Sequence, residues 1–203
     1  MLLLIAGFVL SLFGSLPPGL ISLSVAQTSI LRGKYAAMAV ALGAAFAEFF
    51  QAWAAVVLTD WFLSHPAAER WFHWAALPVF LGIGIHLVFF AKPPKPPEQL
   101  SAGSFRRQFL KGLILSAFNL LAIPYWFVYC GWLRVEGWWQ DGFLSTQIFS
   151  LGVSLGTVFA LGLYIWLGQM LLNSSKDVAR YANRVIGLIF LGLGLKIILE
   201  LIG

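Results

Sequence analysis

Residues 35–58 read YAAMAVALGAAFAEFFQAWAAVVL, an unbroken apolar run with one carboxylate, Glu48, near its centre. A bilayer-spanning helix needs roughly 20 such residues, so the run predicts a membrane helix. It lacks the alternation that a membrane barrel strand carries. Further apolar stretches lie at 2–28, 74–91, 109–133, 146–172 and 183–202. Helices are the reading for all six, because lipid leaves no other open structure with its backbone satisfied. Composition agrees: 60% of the 203 residues are hydrophobic and 10% are charged, against about 25% charged in a soluble domain. An ordinary soluble enzyme, a disordered chain and a disulfide scaffold are excluded. The single cysteine, Cys130, also excludes an internal disulfide and a multi-thiolate metal site. The expected fold is all-α: one transmembrane domain over 1–203, with six helices and short loops. The apolar start, Met1-Leu2-Leu3-Leu4, has no basic segment before it, so it is expected to be the first membrane helix and not a cleaved signal.

The net charge of +5 is read relative to the membrane and not as affinity for nucleic acid. Connections after the first, third and fifth stretches hold Arg32, Lys34, Lys92, Lys95, Arg106, Arg107, Lys111, Lys176, Arg180 and Arg184. Those after the second and fourth hold Arg70 and Arg134, beside Asp60, Glu69, Glu136 and Asp141. The positive-inside rule then puts both termini outside. Lys92-Pro-Pro-Lys-Pro-Pro97 reads as a stiff polyproline-type cytoplasmic linker.

The two halves of the chain resemble each other. Gly7-x-x-Leu10-Ser11-x-Phe13 returns as Gly112-x-x-Leu115-Ser116-x-Phe118, and Leu42-Gly43 as Leu151-Gly152. Phe80-Leu81-Gly82-Ile83-Gly84-Ile85 returns as Phe190-Leu191-Gly192-Leu193-Gly194-Leu195. The offsets are 105, 109 and 110 residues, in order along the chain. The expected layout is a three-helix repeat over 1–91, a linker over 92–106 and a second repeat over 107–203. With an odd number of spans in each half, the repeats must lie inverted, as in many secondary transporters.

Ser15-Leu16-Pro17-Pro18-Gly19 falls about halfway through the first span. Two prolines remove donors and clash with the preceding turn, so this helix should break there and free backbone groups. The related place in the fourth span holds Asn119 and Pro124. Paired mid-span breaks point to a transporter binding site; the alternative is a pair of packing kinks. Glu48 is the only carboxylate deep in any span, and an unpaired charge there costs ~3 kcal/mol on insertion scales. Ala37, Ala41, Ala44, Gln51, Ala52 and Ala55 share its helical face, while Phe46, Phe50, Trp53 and Val57 lie opposite. The expectation is that Glu48 faces a small-residue seam between helices. There it could exchange a proton or hold a substrate ammonium group, or act as hydrogen-bonded glue. Thr157 is its repeat counterpart, and Ser154 lies one turn before Thr157. His86 and Lys196 are read as interfacial. His65, His73 and His86 form no metal-ligand spacing, and neither a metal nor a cofactor is expected.

Pro18-Gly19, Leu31-Arg32-Gly33, Leu42-Gly43, Phe109-x-x-Gly112 and Asn119-x-x-Ala122-x-Pro124 together resemble the lysine exporter family of amino-acid exporters. The likeness runs in order over nearly the whole chain. Leu20 stands where that family commonly has a second proline, and Leu120 where it has the proline of an Asn-Pro pair. The resemblance implies export of an amino acid or similar small metabolite by proton antiport across a bacterial inner membrane. The expected site comprises Glu48, Gln51, Asn119, Ser15, Pro17, Pro18, Gly19, Pro124, Ser154 and Thr157. Its partners would be a small-molecule substrate, protons and lipid, with small-residue seams that permit a homodimer. A non-transporting membrane assembly protein and an exporter of an inorganic ion stay open as alternatives.

Overall fold

The computed structural model describes residues 1–65, 74, 77–78, 81–82, 84–90, 104–119, 122–139, 142–167, 184, 187–188, 191–192, 194–195 and 198–199. Lys196, His73 and the proline-rich linker at 92–97 lie outside them. All regular structure among the described residues is helical: α1 (Leu2–Ser15), α2 (Leu20–Arg32), α3 (Lys34–Ser64), a π-helical turn (His86–Phe90), α4 (Phe105–Ala117), α5 (Ala122–Val135) and α6 (Phe143–Trp166). Lys34–Trp61 and Phe143–Trp166 are each long and apolar enough to cross a membrane, and the pairs α1–α2 and α4–α5 qualify as broken spans. The chain is a polytopic helical membrane protein.

The first break has the cause read from the sequence. The backbone of α1 closes with Leu16 N–H donating to Leu12 O at 3.1 Å. Pro17 and Pro18 then supply no donors, and α2 leaves with a bend of 77°. Gly19 restarts the helix in an extended conformation. Its N–H donates to Ser22 Oγ at 2.8 Å and its carbonyl accepts from the same hydroxyl at 3.1 Å, which caps the new terminus. The second break falls earlier than Pro124 suggests. α4 ends at Ala117 and α5 begins at Ala122, so Pro124 occupies the first turn of α5. A proline is tolerated there because that turn's N–H groups have no intrahelical partner.

The chain forms two compact units, Met1–Thr59 with Lys95–Ser174 and Asp60–Pro94 with Ser175–Gly203. In the first, α1 runs parallel to α6: Gly152 abuts the carbonyl of Leu4, Gly156 that of Phe8, and Tyr164 reaches Leu16. α3 runs the opposite way, with Lys34 over the Trp166 ring at 4.8 Å and Ala45 level with Ser154. Backbones touch at glycines, and the contacts come in counterparts. A Cβ on Gly7 would strike the carbonyl of Phe149, and one on Gly112 the carbonyl of Val40. Likewise Gly152 abuts Leu4, and Gly43 abuts Phe109. In the second unit Gly84 meets the Leu191 side chain, and Gly194 meets that of Leu81. In each case both partners are related by the sequence offsets of 105, 109 or 110 residues.

The buried clusters obey the same exchange. One packs Val25 and Ala26 of α2 against Val40 and Ala44 of α3 and against Leu161, Tyr164 and Ile165 of α6. The other packs Trp126, Cys130 and Leu133 of α5 against Ala52, Ala55 and Val56 of α3 and against Phe149 and Val153 of α6. At an offset of 109, Val40 and Ala44 become Phe149 and Val153, while Ala52, Ala55 and Val56 become Leu161, Tyr164 and Ile165. Ala37, Ala41, Ala44, Ala52 and Ala55 are fully buried, whereas Phe46, Phe50, Trp53 and Val57 are exposed. The face of α3 that carries Glu48 therefore packs on protein, and its aromatic face is left for lipid. Replacing Gly112 by Val should force α3 and α4 apart and lower stability by about 1–3 kcal/mol. Gly131→Ala, where a Cβ meets nothing within 4 Å, should be neutral. Melting temperature in detergent checks both.

Candidate functional site

Glu48 sits where α3 and α6 cross. Its neighbours along α3 are buried alanines, and the residue as a whole is half-buried. Thr157 Oγ1 on α6 donates to Glu48 Oε2. Thr157 Oγ1 also lies 2.8 Å from Ser11 Oγ of α1 and 3.0 Å from the Val153 carbonyl. A hydroxyl has one proton and two lone pairs, so this cluster has a satisfied arrangement for either charge state of the acid. With Glu48 ionised, Thr157 donates to it and accepts from Ser11. With Glu48 protonated, the acid donates to Thr157, whose own proton turns to Val153. No heavy atom has to move.

Aromatic groups complete the surroundings. The Trp126 indole N–H lies beside the Glu48 carboxyl, but Trp126 Nε1 has no hydrogen bond of good geometry. Tyr125 is close enough to sense the charge of Glu48; its hydroxyl donates to the Leu10 carbonyl at 2.9 Å. The rings of Tyr125 and Tyr129 lie 4.7 Å apart. Trp126 packs edge-on to Phe149 at 5.9 Å.

At each break a carbonyl accepts a hydrogen bond from another span. Tyr164 of α6 donates to Leu16 O at 2.5 Å, at the end of α1. Gln51 of α3 donates through Nε2 to Ser116 O at 2.9 Å, at the end of α4. The buried Gln51 Oε1 has no partner. Ser154 Oγ donates to Ala45 O at 3.1 Å, which ties α6 to α3 one turn before Glu48.

Of the residues expected at the site, the structure joins Glu48 and Thr157 directly and sets Ser154 at the same crossing. Gln51 is spent on backbone at the second break. Ser15, Pro17 and Gly19 are half-buried and Pro18 is buried at the first break. Asn119 joins the second break through its backbone, its N–H reaching Ser116 O at 2.9 Å and its carbonyl accepting from Ala122 at 3.1 Å. Pro124 lies beyond the break. Ser11, Tyr125, Trp126 and Tyr164 were not foreseen. The one available signal was the return of Ser11 as Ser116 in the repeat. His86 is exposed at the π-helical turn, and among the described residues no cluster of metal-ligating side chains forms.

These features define a polytopic helical protein with a hydrogen-bonded polar cluster where α3, α6 and α1 meet. The LysE type translocator family model matches residues 12–201. The chain belongs to the LysE type translocator family and is a membrane transporter. No curated protein and no solved structure matches the chain.

Removing the cap on a buried carbonyl costs about 1–3 kcal/mol. Tyr164→Phe should therefore lower the melting temperature, while Tyr35→Phe on the exposed surface should not. Differential scanning fluorimetry in one detergent checks both.

Proposed function

We propose that this protein exports an amino acid or similar small polar metabolite by alternating access, driven by protons moving the other way. The observation that carries the reading is the carboxylate of Glu48, bonded to Thr157 where the two long spans cross. Glu48 and Thr157 are themselves offset-109 counterparts, as are Ala45 and Ser154 beside them. A contact between counterparts sits on the two-fold axis that relates them. The reciprocal glycine contacts and exchanged cores support two inverted repeats, 1–91 and 107–203. An inverted pair supplies two equivalent conformations, one open to each side, and a group on the axis is reachable in both.

The chemistry follows from scarcity. A single carboxylate serves either a proton or the ammonium end of a substrate. Occupation by one excludes the other, which is the condition for exchange. Thr157 and Ser11 keep the acid satisfied between the two loads, and Gln51 and Tyr164 hold open the backbone breaks beside it. Transport loads the site from the basic, cytoplasmic face of a bacterial inner membrane, with both termini outside. No enzymatic step is involved.

Glu48→Gln keeps the volume and hydrogen-bonding capacity but cannot carry a proton or a negative charge. In proteoliposomes, uptake of radiolabelled amino acids should depend on the imposed pH gradient for the unmodified protein. It should fall to background in Glu48→Gln, while the gel-filtration profile and helix content stay unchanged. Unaltered, pH-dependent uptake by the variant would contradict the proposal.

A further inference from the structure

We propose that Lys111, with Thr28, Ser24 and Arg32, forms a one-sided site for the carboxylate of the transported solute; this rests on the exporter reading above. The charge pattern alone places Lys111 among loop cations, but the structure sets it seven residues into α4 and half-buried. Its ammonium donates to Thr28 Oγ1 of α2 at 3.4 Å. The Thr28 hydroxyl proton is already committed to the Ser24 carbonyl at 2.7 Å, so the hydroxyl meets Lys111 as an acceptor. The charge that bears on Lys111 is that of Arg32. Among the described residues neither cation is paired with a carboxylate. Taking the Lys111 cation partly out of water costs free energy, and an anion beside it would offset that cost.

A second observation points to a ligand. Ser24 lies one turn from Thr28 on the same face of α2 and is fully buried. Its hydroxyl has no hydrogen-bond partner. A buried hydroxyl left without a partner is uncommon. Ser24 and Lys111 both adjoin Thr28, and a hydroxyl and an ammonium are donors of the kind that hold a carboxylate.

The scaffold shows that the site is not a structural necessity. At the offset of 105 that relates Gly7 to Gly112, the counterpart of Lys111 is Ala6. The other half packs without a cation at this place. A cation in one half gives the two conformations different affinities for an anionic group, and Arg32 and Lys34 mark its end as the basic face. The same chemistry would also fit the phosphate of an anionic lipid headgroup, so the test separates the two.

Wild type, Lys111→Met and Lys111→Arg are compared in proteoliposomes of neutral lipid and of lipid containing phosphatidylglycerol. The solutes are the twenty amino acids and the decarboxylated amine of each one transported. For Lys111→Met the half-saturating concentration of the amino acid should rise about tenfold or more, the worth of one charge-assisted hydrogen bond. The amine should be unaffected, and Lys111→Arg should restore most of the loss. An equal effect on amine and amino acid, or no effect, overturns the proposal. So does a loss that wild type reproduces when phosphatidylglycerol is withdrawn, because the anion is then a headgroup. A parallel arm measures thermal stabilisation by acetate in neutral-lipid nanodiscs. Wild type should be stabilised and Lys111→Met should not, and equal responses overturn the site. If wild type transports none of the panel, the exporter reading fails, while the acetate arm still decides Lys111.

Discussion

A carboxyl group halfway along a membrane helix has no water to answer it, and here Thr157 supplies the answer to Glu48. The rest of the first unit is arranged around that bond. It requires α3 and α6 to approach closely, which the alanines at 37, 41, 44, 52 and 55 allow. It requires α1 to lie against α6 so that Ser11 can reach Thr157, which Gly7, Gly152 and Gly156 allow. In lipid there is no hydrophobic drive between helices, so such seams hold by close contact and by hydrogen bonds. The small residues and the polar cluster are therefore two parts of one solution.

The same constraint governs the backbone. Breaking a span frees carbonyls that hydrocarbon cannot satisfy, and each break is capped from a different span, by Tyr164 or by Gln51. The caps do different chemistry at related places, because one comes from a phenol and the other from an amide. Among the described residues packing contacts are repeated in counterpart pairs, while the charged groups Glu48 and Lys111 are not. Glu48 faces Thr157, and Lys111 corresponds to Ala6. Repeated packing gives a scaffold two ways to close. On the proposed reading, unrepeated charged groups give the two states different chemistry, which a transporter with a direction needs.

Much of this was legible in the residues. Helix type follows from runs of apolar residues, the first break from Pro17-Pro18, and the buried and lipid faces of α3 from a period of 3.6 residues. The family followed from motifs in order, although each motif was weak alone. The second break was misplaced because a proline signals a break only inside a helix, and Pro124 instead opens one. Ser11, Tyr125, Trp126 and Tyr164 went unread for a different reason. Their importance comes from which helix lies opposite, and a hydroxyl or indole on an apolar span looks the same whether it meets lipid, backbone or Glu48. Lys111 was read by its position in a charge count, which is blind to whether an amine turns outward or toward a neighbouring helix.

The central claim is that proton and substrate share one carboxylate. Infrared difference spectroscopy of the protein in lipid vesicles reads this directly, with the carboxyl stretch of Glu48 assigned by its disappearance in Glu48→Gln. The account predicts that adding a transported amino acid removes the signal of the protonated acid and produces that of the carboxylate. A Glu48 signal that stays unchanged at saturating substrate, in a preparation that transports, would contradict it.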